Sequence, residues 1–267
     1  MKLSIVVSTQ PASFEALAYK GQLIENIIKI ARLGYDGVEL AVRNPEQLNV
    51  HEIQNLLTDY KLHVPAIGTG QLFGEEGLSL TSTDERIRQT AIERLKSHIE
   101  LAAQLNAIII IGLVRGKIER SIEESLELFK TSLLELLQYG EQFKVNFAIE
   151  PINRYETNLI NTVKEGLEFV EKIGKNNLGL LLDTFHMNIE EPSITESIKL
   201  VNKKLFHFHV ADSNRWYPGA GHIDFKQILS ALETINYDGY LSAEILPLPD
   251  PETSAQQTIS NIKALIF

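Results

Sequence analysis

Short β-rich apolar runs alternate with helical patterns along the whole chain, and this alternation restricts the fold more than any other feature. The runs are Leu3–Ser8, Gly37–Leu40, His63–Gly68, Ala107–Ile111, Val145–Ile149, Leu178–Leu182, Leu205–Val210 and Tyr240–Ile245. The consecutive isoleucines of the fourth run read as a strand covered on both faces. Between the runs, Leu23, Ile24, Ile27, Ile28 and Ile30 share one helix face within Gly21–Leu33, and Pro45–Tyr60 reads as the next helix. Gln71-Leu72-Phe73-Gly74 reads as a glycine-rich loop. Ser82 with Glu85 forms a capping box that opens a long helix to about Gln104, and Ser121 with Glu124 opens another ending near Phe143. Helices are also expected over Val163–Ile173, Ile194–Val201 and Phe225–Ile235, the last capped by Asp224, with Asp250-Pro251 starting the final one. No linker or low-complexity stretch interrupts the 267 residues, so one domain over 1–267 is expected. Eight such units predict an α/β fold, a closed (β/α)8 TIM barrel with its site at the carboxyl ends of the strands. An open doubly wound sheet is the other possibility, but no G-x-G-x-x-G follows a strand anywhere.

The ends of the later strands carry the chemistry. Val145–Ile149 stops at Glu150, and Pro151 removes the next ladder donor. A carboxylate there is costly unless a cation or a set of donors meets it, and pairing with Arg154 would be the plain solution. The construction recurs, however: Leu178–Leu182 ends at Asp183, Leu205–Phe208 leads to His209, and Leu241–Ala243 ends at Glu244. Strands five to eight of a barrel are neighbours, so Glu150, Asp183, His209 and Glu244 converge and predict a site for one divalent metal. With no cysteine in the chain, the oxygen-rich set suits Mn²⁺, Mg²⁺ or Co²⁺ better than a closed structural zinc site. A net charge of −10 argues against nucleic acid as a partner, and no apolar run is long enough to span a membrane. Met1-Lys2-Leu3-Ser4 enters a strand pattern directly, not a signal peptide, and the expected compartment is the cytoplasm.

Four strings, E-P-I-N-R-Y-E-T-N, L-D-T-F-H-M-N-I-E-E, H-F-H-V-A-D-S-N-R-W-Y-P-G-A-G-H-I-D-F and S-A-E-I-L-P, resemble in content and order the xylose-isomerase-like TIM-barrel sugar isomerases and epimerases. Within that group the chain looks most like the ketose 3-epimerases. Its opening M-K-L-S-I-V-V-S-T, with A-I-G-T-G-Q and I-I-G-L-V-R-G, is most similar to the 5-keto-L-gluconate epimerases. The resemblance implies a metal, most often Mn²⁺, bound by Glu150, Asp183, His209 and Glu244. It implies Glu150 and Glu244 as the acid/base pair on opposite faces of the sugar, with proton transfer through a metal-stabilised enediolate. It also implies Glu156, His186 and Arg215 as substrate-binding residues near the carbonyl end, and a homodimer or homotetramer. The partner would be a small sugar or sugar acid. A keto-uronate such as 5-keto-L-gluconate would need a cation for its carboxylate, and Arg115 is the first candidate, with Arg43 second.

Other residues are less defined by the sequence. His207 is expected to be a hydrogen-bonded core histidine, Glu39 to touch either substrate or another site residue, and His222 to line the pocket or cap a turn. Trp216 and Tyr217 could pack on a sugar face or serve contacts between subunits, and Ala264-Leu265-Ile266-Phe267 reads as core. Rival functions are a ketose 3-epimerase acting on neutral ketohexoses or ketopentoses, for which Arg115 would be merely structural, an aldose–ketose isomerase such as hydroxypyruvate isomerase, a metal-containing sugar-binding protein without catalysis, and a three-zinc apurinic endonuclease. The endonuclease would need histidines at the ends of strands three and four, where the chain has Ile67-Gly68-Thr69 and Ile111-Gly112.

Overall fold

The computed structural model describes residues 1–266. Its sheet has nine parallel strands, of which Tyr19–Lys20 is a two-residue strand attached to the first. The remaining ones form a closed ring: β1 (Lys2–Ser8), β2 (Gly37–Ala41), β3 (Ala66–Gly68), β4 (Ile108–Ile111), β5 (Phe147–Ile149), β6 (Leu178–Asp183), β7 (Leu205–Val210) and β8 (Tyr240–Ala243). Closure is made by β8 pairing with β1, Leu241 opposite Leu3 and Ala243 opposite Ile5. The outer helices are α1 (Leu23–Leu33), α2 (Val50–Tyr60), α3 (Glu85–Leu105), α4 (Ile122–Phe143), α5 (Val163–Ile173), α6 (Ile194–Val201), α7 (Phe225–Thr234) and α8 (Pro251–Ile266). This is the expected (β/α)8 TIM barrel.

Strand alternation sorts the side chains into two compartments. Ala66, Ile110, Ala148 and Leu181 pack together inside the ring. Val38, Leu40, Ile109, Ile111, Phe147, Ile149, Leu180 and Leu182 join the core between strands and helices. Burial on both sides is why the strands read as continuous apolar runs, each buried Leu or Ile contributing about 1.5–3 kcal/mol. The helix layer sits close: a Cβ at Gly140 of α4 would stand 2.5 Å from the Phe147 ring.

Several boundaries differ from the expectation for local reasons. The third strand starts at Ala66, because Pro65 has no N–H to donate, and His63 keeps a single bridge to Gly37. Pro45–Gln47 is a separate turn of 3₁₀ helix, and Asn49 caps α2. Asp84, not Ser82, caps α3 through the Arg86 amide at 2.8 Å. Ser121 caps α4 as expected, and Thr162 with Glu165 forms a full capping box on α5. Gln71–Glu76 is a short helix, not a loop. At the end of the chain Ala264 and Leu265 are exposed, against the expectation of core, and Phe267 lies outside the described residues. Among the described residues, no helix is long and apolar enough to cross a membrane.

Arg115 also departs from its expected role. It lies in the turn Leu113–Arg115 after β4 and is completely buried. Its Nε donates to Leu159 O at 2.9 Å, Nη1 to Gly112 O at 2.9 Å and Glu150 O at 2.8 Å, and Nη2 to Ile160 O at 3.0 Å. Burial draws its pKa down to about 10, with Glu150 and Glu165 opposing. The guanidinium therefore faces main-chain carbonyls and ties the β4 and β5 loops together. Replacing it by methionine leaves buried carbonyls without donors. We expect Arg115→Met to lower the unfolding free energy by about 2–4 kcal/mol in urea titration. A loss under about 0.5 kcal/mol, the range of neutral surface changes, would refute the structural role.

Candidate active site

Strands β5 to β8 each place one polar side chain at the same end of the ring, and each is held by a different local device. Asp183 ends β6 and caps the helix Thr184–Glu190: its Oδ1 accepts the Phe185 N–H at 2.8 Å, leaving Oδ2 to face inward. Glu150, the residue after β5, sets its carboxylate against Gly112, where a Cβ would lie 2.8 Å from Oε2. His209 of β7 directs Nε2 to Glu39 at 3.0 and 3.1 Å, so Nδ1 is turned the other way. His207 reaches the same carboxylate at 2.7 Å, as a buried hydrogen-bonded histidine was expected to do. Glu39 thus touches site residues from across the ring. Glu244 follows β8 and pairs with Arg215 Nη2.

Among the described residues, these devices leave Glu150 Oε1, Asp183 Oδ2 and His209 Nδ1 buried without a hydrogen-bond partner. His209 Nδ1 lies 3.9 Å from Glu150 Oε1, 3.8 Å from Asp183 Oδ2 and 3.9 Å from Glu244 Oε2. One ligand atom from each of the four falls within 4.8 Å of the others. Such spacing is too long for hydrogen bonds, and carboxylate oxygens cannot satisfy one another. Three carboxylates and an imidazole around orphaned buried atoms fit a divalent cation of the Mn²⁺, Mg²⁺ or Co²⁺ kind. The plain alternative for Glu150 does not occur: Arg154 pairs with Glu190, Nη2 to Oε2 at 2.7 Å.

The electrostatics show the strain of gathering these groups. Burial, then the nearby Glu244, raises the pKa of Glu150 well above the usual carboxylate value. Burial likewise pushes Glu244 up to about 7, although Arg215 and His209 oppose it. Burial would raise Asp183 as well, but Arg215, His186 and His209 hold it below its ordinary value. Burial opposes charge on His209, yet Glu39, Glu244 and Glu150 together bring it up to about 10.

The expected substrate-binding residues stand on the rim of this cluster. His186 Nε2 lies 3.7 Å from Glu150 Oε1 and 3.4 Å from Arg215 Nη1. Arg215 approaches Asp183 at 3.4 Å and stacks its guanidinium 4.5 Å from the Phe185 ring centre. It pairs with Glu244, not with Glu156. Glu156 instead accepts from Asn153 Nδ2 at 2.8 Å. All three line a cleft completed by Phe14, Leu17, Thr69, Gln71, Glu75 and Leu113 among others. Arg43, Arg115, Trp216, Tyr217 and His222 do not line it. His222 instead bonds Ser213 Oγ at 2.9 Å, which is a turn contact. Asn153 and Phe14 were missed by sequence reading. The helix after Asp183 was signalled by an Asp directly after an apolar strand, a cap position.

Cation binding at this cluster must displace protons. Glu244, raised to about 7, holds a proton at and below neutrality that leaves when a cation takes its place. We expect Mn²⁺ affinity to rise with pH through neutrality, by about tenfold per pH unit for each proton displaced. Calorimetry in buffers of different ionisation enthalpy reads this directly. A dissociation constant flat across that range would show that the ligand atoms are already deprotonated.

Comparison with known proteins agrees with the geometry. Residues 27–265 match the family described as Xylose isomerase-like TIM barrel. The chain is similar to an L-ribulose 3-epimerase of Methylomonas sp. (strain DH-1), 31% identical over 230 residues, covering 84% of this chain and 79% of that protein. It is also similar to a D-psicose 3-epimerase of Ruminiclostridium cellulolyticum, 32% identical over 236 residues, covering 82% and 76%. A crystal structure of D-allulose 3-epimerase from Methylomonas sp. superposes with a TM-score of 0.83 at 27% identity, covering 99% of this chain and 98% of that one. The barrel, the strand-end cluster and these matches together establish that the chain belongs to the xylose isomerase-like TIM barrel family, with ketose 3-epimerases among its relatives.

Proposed function

We propose that the protein is a metal-dependent ketose 3-epimerase that inverts the carbon next to the ketone of a free sugar. The observation that supports this best is the set of unpartnered ligand atoms flanked by Glu150 and Glu244. A divalent cation held by Glu150, Asp183, His209 and Glu244 would supply Lewis-acid polarisation of the ketone and the adjacent hydroxyl. Mn²⁺ is the ion we assign.

The chain's own residues do the rest. Glu150 and Glu244 stand at the two ends of the β5–β8 arc, so a substrate laid over the arc has a carboxylate on each side. One removes the C3 proton, leaving the electron pair in the enediolate of the sugar; the other returns a proton to the opposite face. Burial raises both carboxyl groups above the usual carboxylate value, which makes each a stronger proton acceptor. His186, Arg215 and Glu156 hold the carbonyl end, and the apolar wall from Phe14 and Leu17 helps keep water away.

A neutral ketohexose or ketopentose fits this cleft better than a keto-uronate. The loops after β1 and β3 bring Ser13, Phe14, Leu17, Gln71 and Glu75 to the cleft, and none of these is cationic. The resemblance to 5-keto-L-gluconate epimerases calls for a cation facing the acid group, and Arg115 is engaged with carbonyls instead.

The test is NMR in D₂O with Mn²⁺, comparing D-fructose, L-ribulose, 5-keto-L-gluconate and hydroxypyruvate, each with and without chelator. Chelator-sensitive inversion at C3 of the neutral ketoses, with deuterium entering there, is the expected result. Turnover of the acid alone would restore the keto-uronate reading, and turnover of hydroxypyruvate alone would make the protein an aldose–ketose isomerase. Glu150→Gln and Glu244→Gln should each lower kcat by about 10²–10⁴-fold, the usual contribution of a positioned acid or base.

A further inference from the structure

We propose that Asn153 is a positioning residue that fixes the tautomer of His186 and thereby makes His186 Nε2 a hydrogen-bond donor to a substrate oxygen. This deepens the ketose reading and rests on it for the identity of that oxygen. The tautomer itself follows from hydrogen bonds within the chain.

Asn153 sits in the loop after β5 and is 1% exposed. Its side-chain Oδ1 accepts the backbone N–H of Tyr155 at 3.0 Å. Its own carbonyl accepts the N–H groups of Glu156 at 3.1 Å and Thr157 at 3.2 Å, so the residue is held in a tight turn. A backbone N–H can only donate, so the atom facing Tyr155 must be the oxygen, and the amide orientation is settled by the main chain. The two amide hydrogens then go to Glu156 Oε1 at 2.8 Å and His186 Nδ1 at 2.8 Å. Turning the amide over would set oxygen against the Glu156 carboxylate and N–H against N–H at Tyr155.

A ring nitrogen that accepts from an amide carries no proton. Arg215 Nη1, which can also only donate, approaches the other ring nitrogen, Nε2, at 3.4 Å, but the 2.8 Å Asn153 bond at Nδ1 is much the shorter and takes the acceptor role. The hydrogen of the neutral His186 ring is therefore on Nε2, 3.7 Å from Glu150 Oε1. One amide thus sets two rim groups at once: it orients the Glu156 carboxylate and aims a fixed N–H into the cleft. A neutral donor beside a developing negative charge on oxygen stabilises that charge without needing to reorient.

Asn153→Asp keeps the shape and removes both donors. The new carboxylate repels Glu156 and draws a proton onto His186 Nδ1, leaving Nε2 either without a hydrogen or in a charged ring. The readout is two-bond ¹⁵N–¹H correlation of histidine rings in the whole protein with Mg²⁺ as the diamagnetic ion, His186 being assigned by its loss in His186→Gln. The wild type should show His186 protonated at Nε2, and Asn153→Asp should move the proton to Nδ1 or to both nitrogens. The variant's kcat on the ketose should fall by about 10²-fold, the usual cost of one positioned donor. Its Mn²⁺ affinity should hold, because Asn153 touches none of the ligand atoms. An Nδ1–H tautomer in the wild type overturns the proposal, and needs no variant to be seen. Wild-type tautomer and kcat in Asn153→Asp overturn it too. An Nε2–H ring in a protein that turns over no ketose would support the tautomer assignment and overturn the ketose reading alone.

Discussion

The structure depends on gathering three carboxylates and an imidazole, all largely withdrawn from water, at one end of a closed ring. Such groups repel one another and lose hydration, so the arrangement exists only where the rest of the chain compensates. It does so by fixing one side of several groups and leaving the other side free. Asp183 gives Oδ1 to the first turn of the following helix, where backbone N–H groups favour a negative charge, and keeps Oδ2 for the cluster. His209 gives Nε2 to Glu39 and keeps Nδ1. Glu150 rests against Gly112, where an added Cβ would stand 2.8 Å from Oε2 and push the carboxylate aside. Barrel closure then makes these separate solutions adjacent, with Asp183 directly opposite His209 in the β6–β7 register.

The loop after β7 supplies the compensating cation. Asp212, wholly buried, accepts the N–H groups of Ser213 at 2.7 Å, Gly219 at 2.7 Å and Ile223 at 3.1 Å. These bonds fold the loop back on itself, and Arg215 enters it with a left-handed backbone, φ 63°. The Arg215 carbonyl in turn accepts the Leu246 N–H at 2.8 Å, tying the loop to the segment just past Glu244. A long, flexible cation is thereby placed where Asp183 and Glu244 need it. Its fixed attachment has the same logic as a metal ligand's outer support: the group that meets the charge is only as exact as the backbone behind it.

How much of this the sequence disclosed follows from the range of the interactions. The four candidate ligands were legible because each ends an apolar strand, and the barrel guarantees that such ends meet. The helices Val163–Ile173 and Ile194–Val201 were legible to the residue because Thr162, Ser193 and Gly174 mark their ends locally. Arg115 was misread because its position after a strand looks like a site position, while its true partners are carbonyls at Leu159 and Ile160, far along the chain. Glu39 was left open for the same reason, being 168 and 170 residues from the histidines it joins. The helix after Asp183 was overlooked because Asp183 was read only as a candidate ligand, while its other oxygen caps that helix.

That double use is the general reason why the cluster was easier to read than its surroundings. A metal ligand declares itself by chemistry and by its place at a strand end, and few other roles need a carboxylate there. A supporting residue is chosen by what it must accept or donate from several directions, and that depends on atoms contributed by other loops. Asn153 shows the difference. Within E-P-I-N-R-Y-E-T-N it is an ordinary turn residue, and the Tyr155 amide that fixes its orientation is two residues away. Its consequence lies on His186, across from it on the loop of the next strand. The local half of that arrangement is written in the motif, and the other half exists only once β5 and β6 lie side by side.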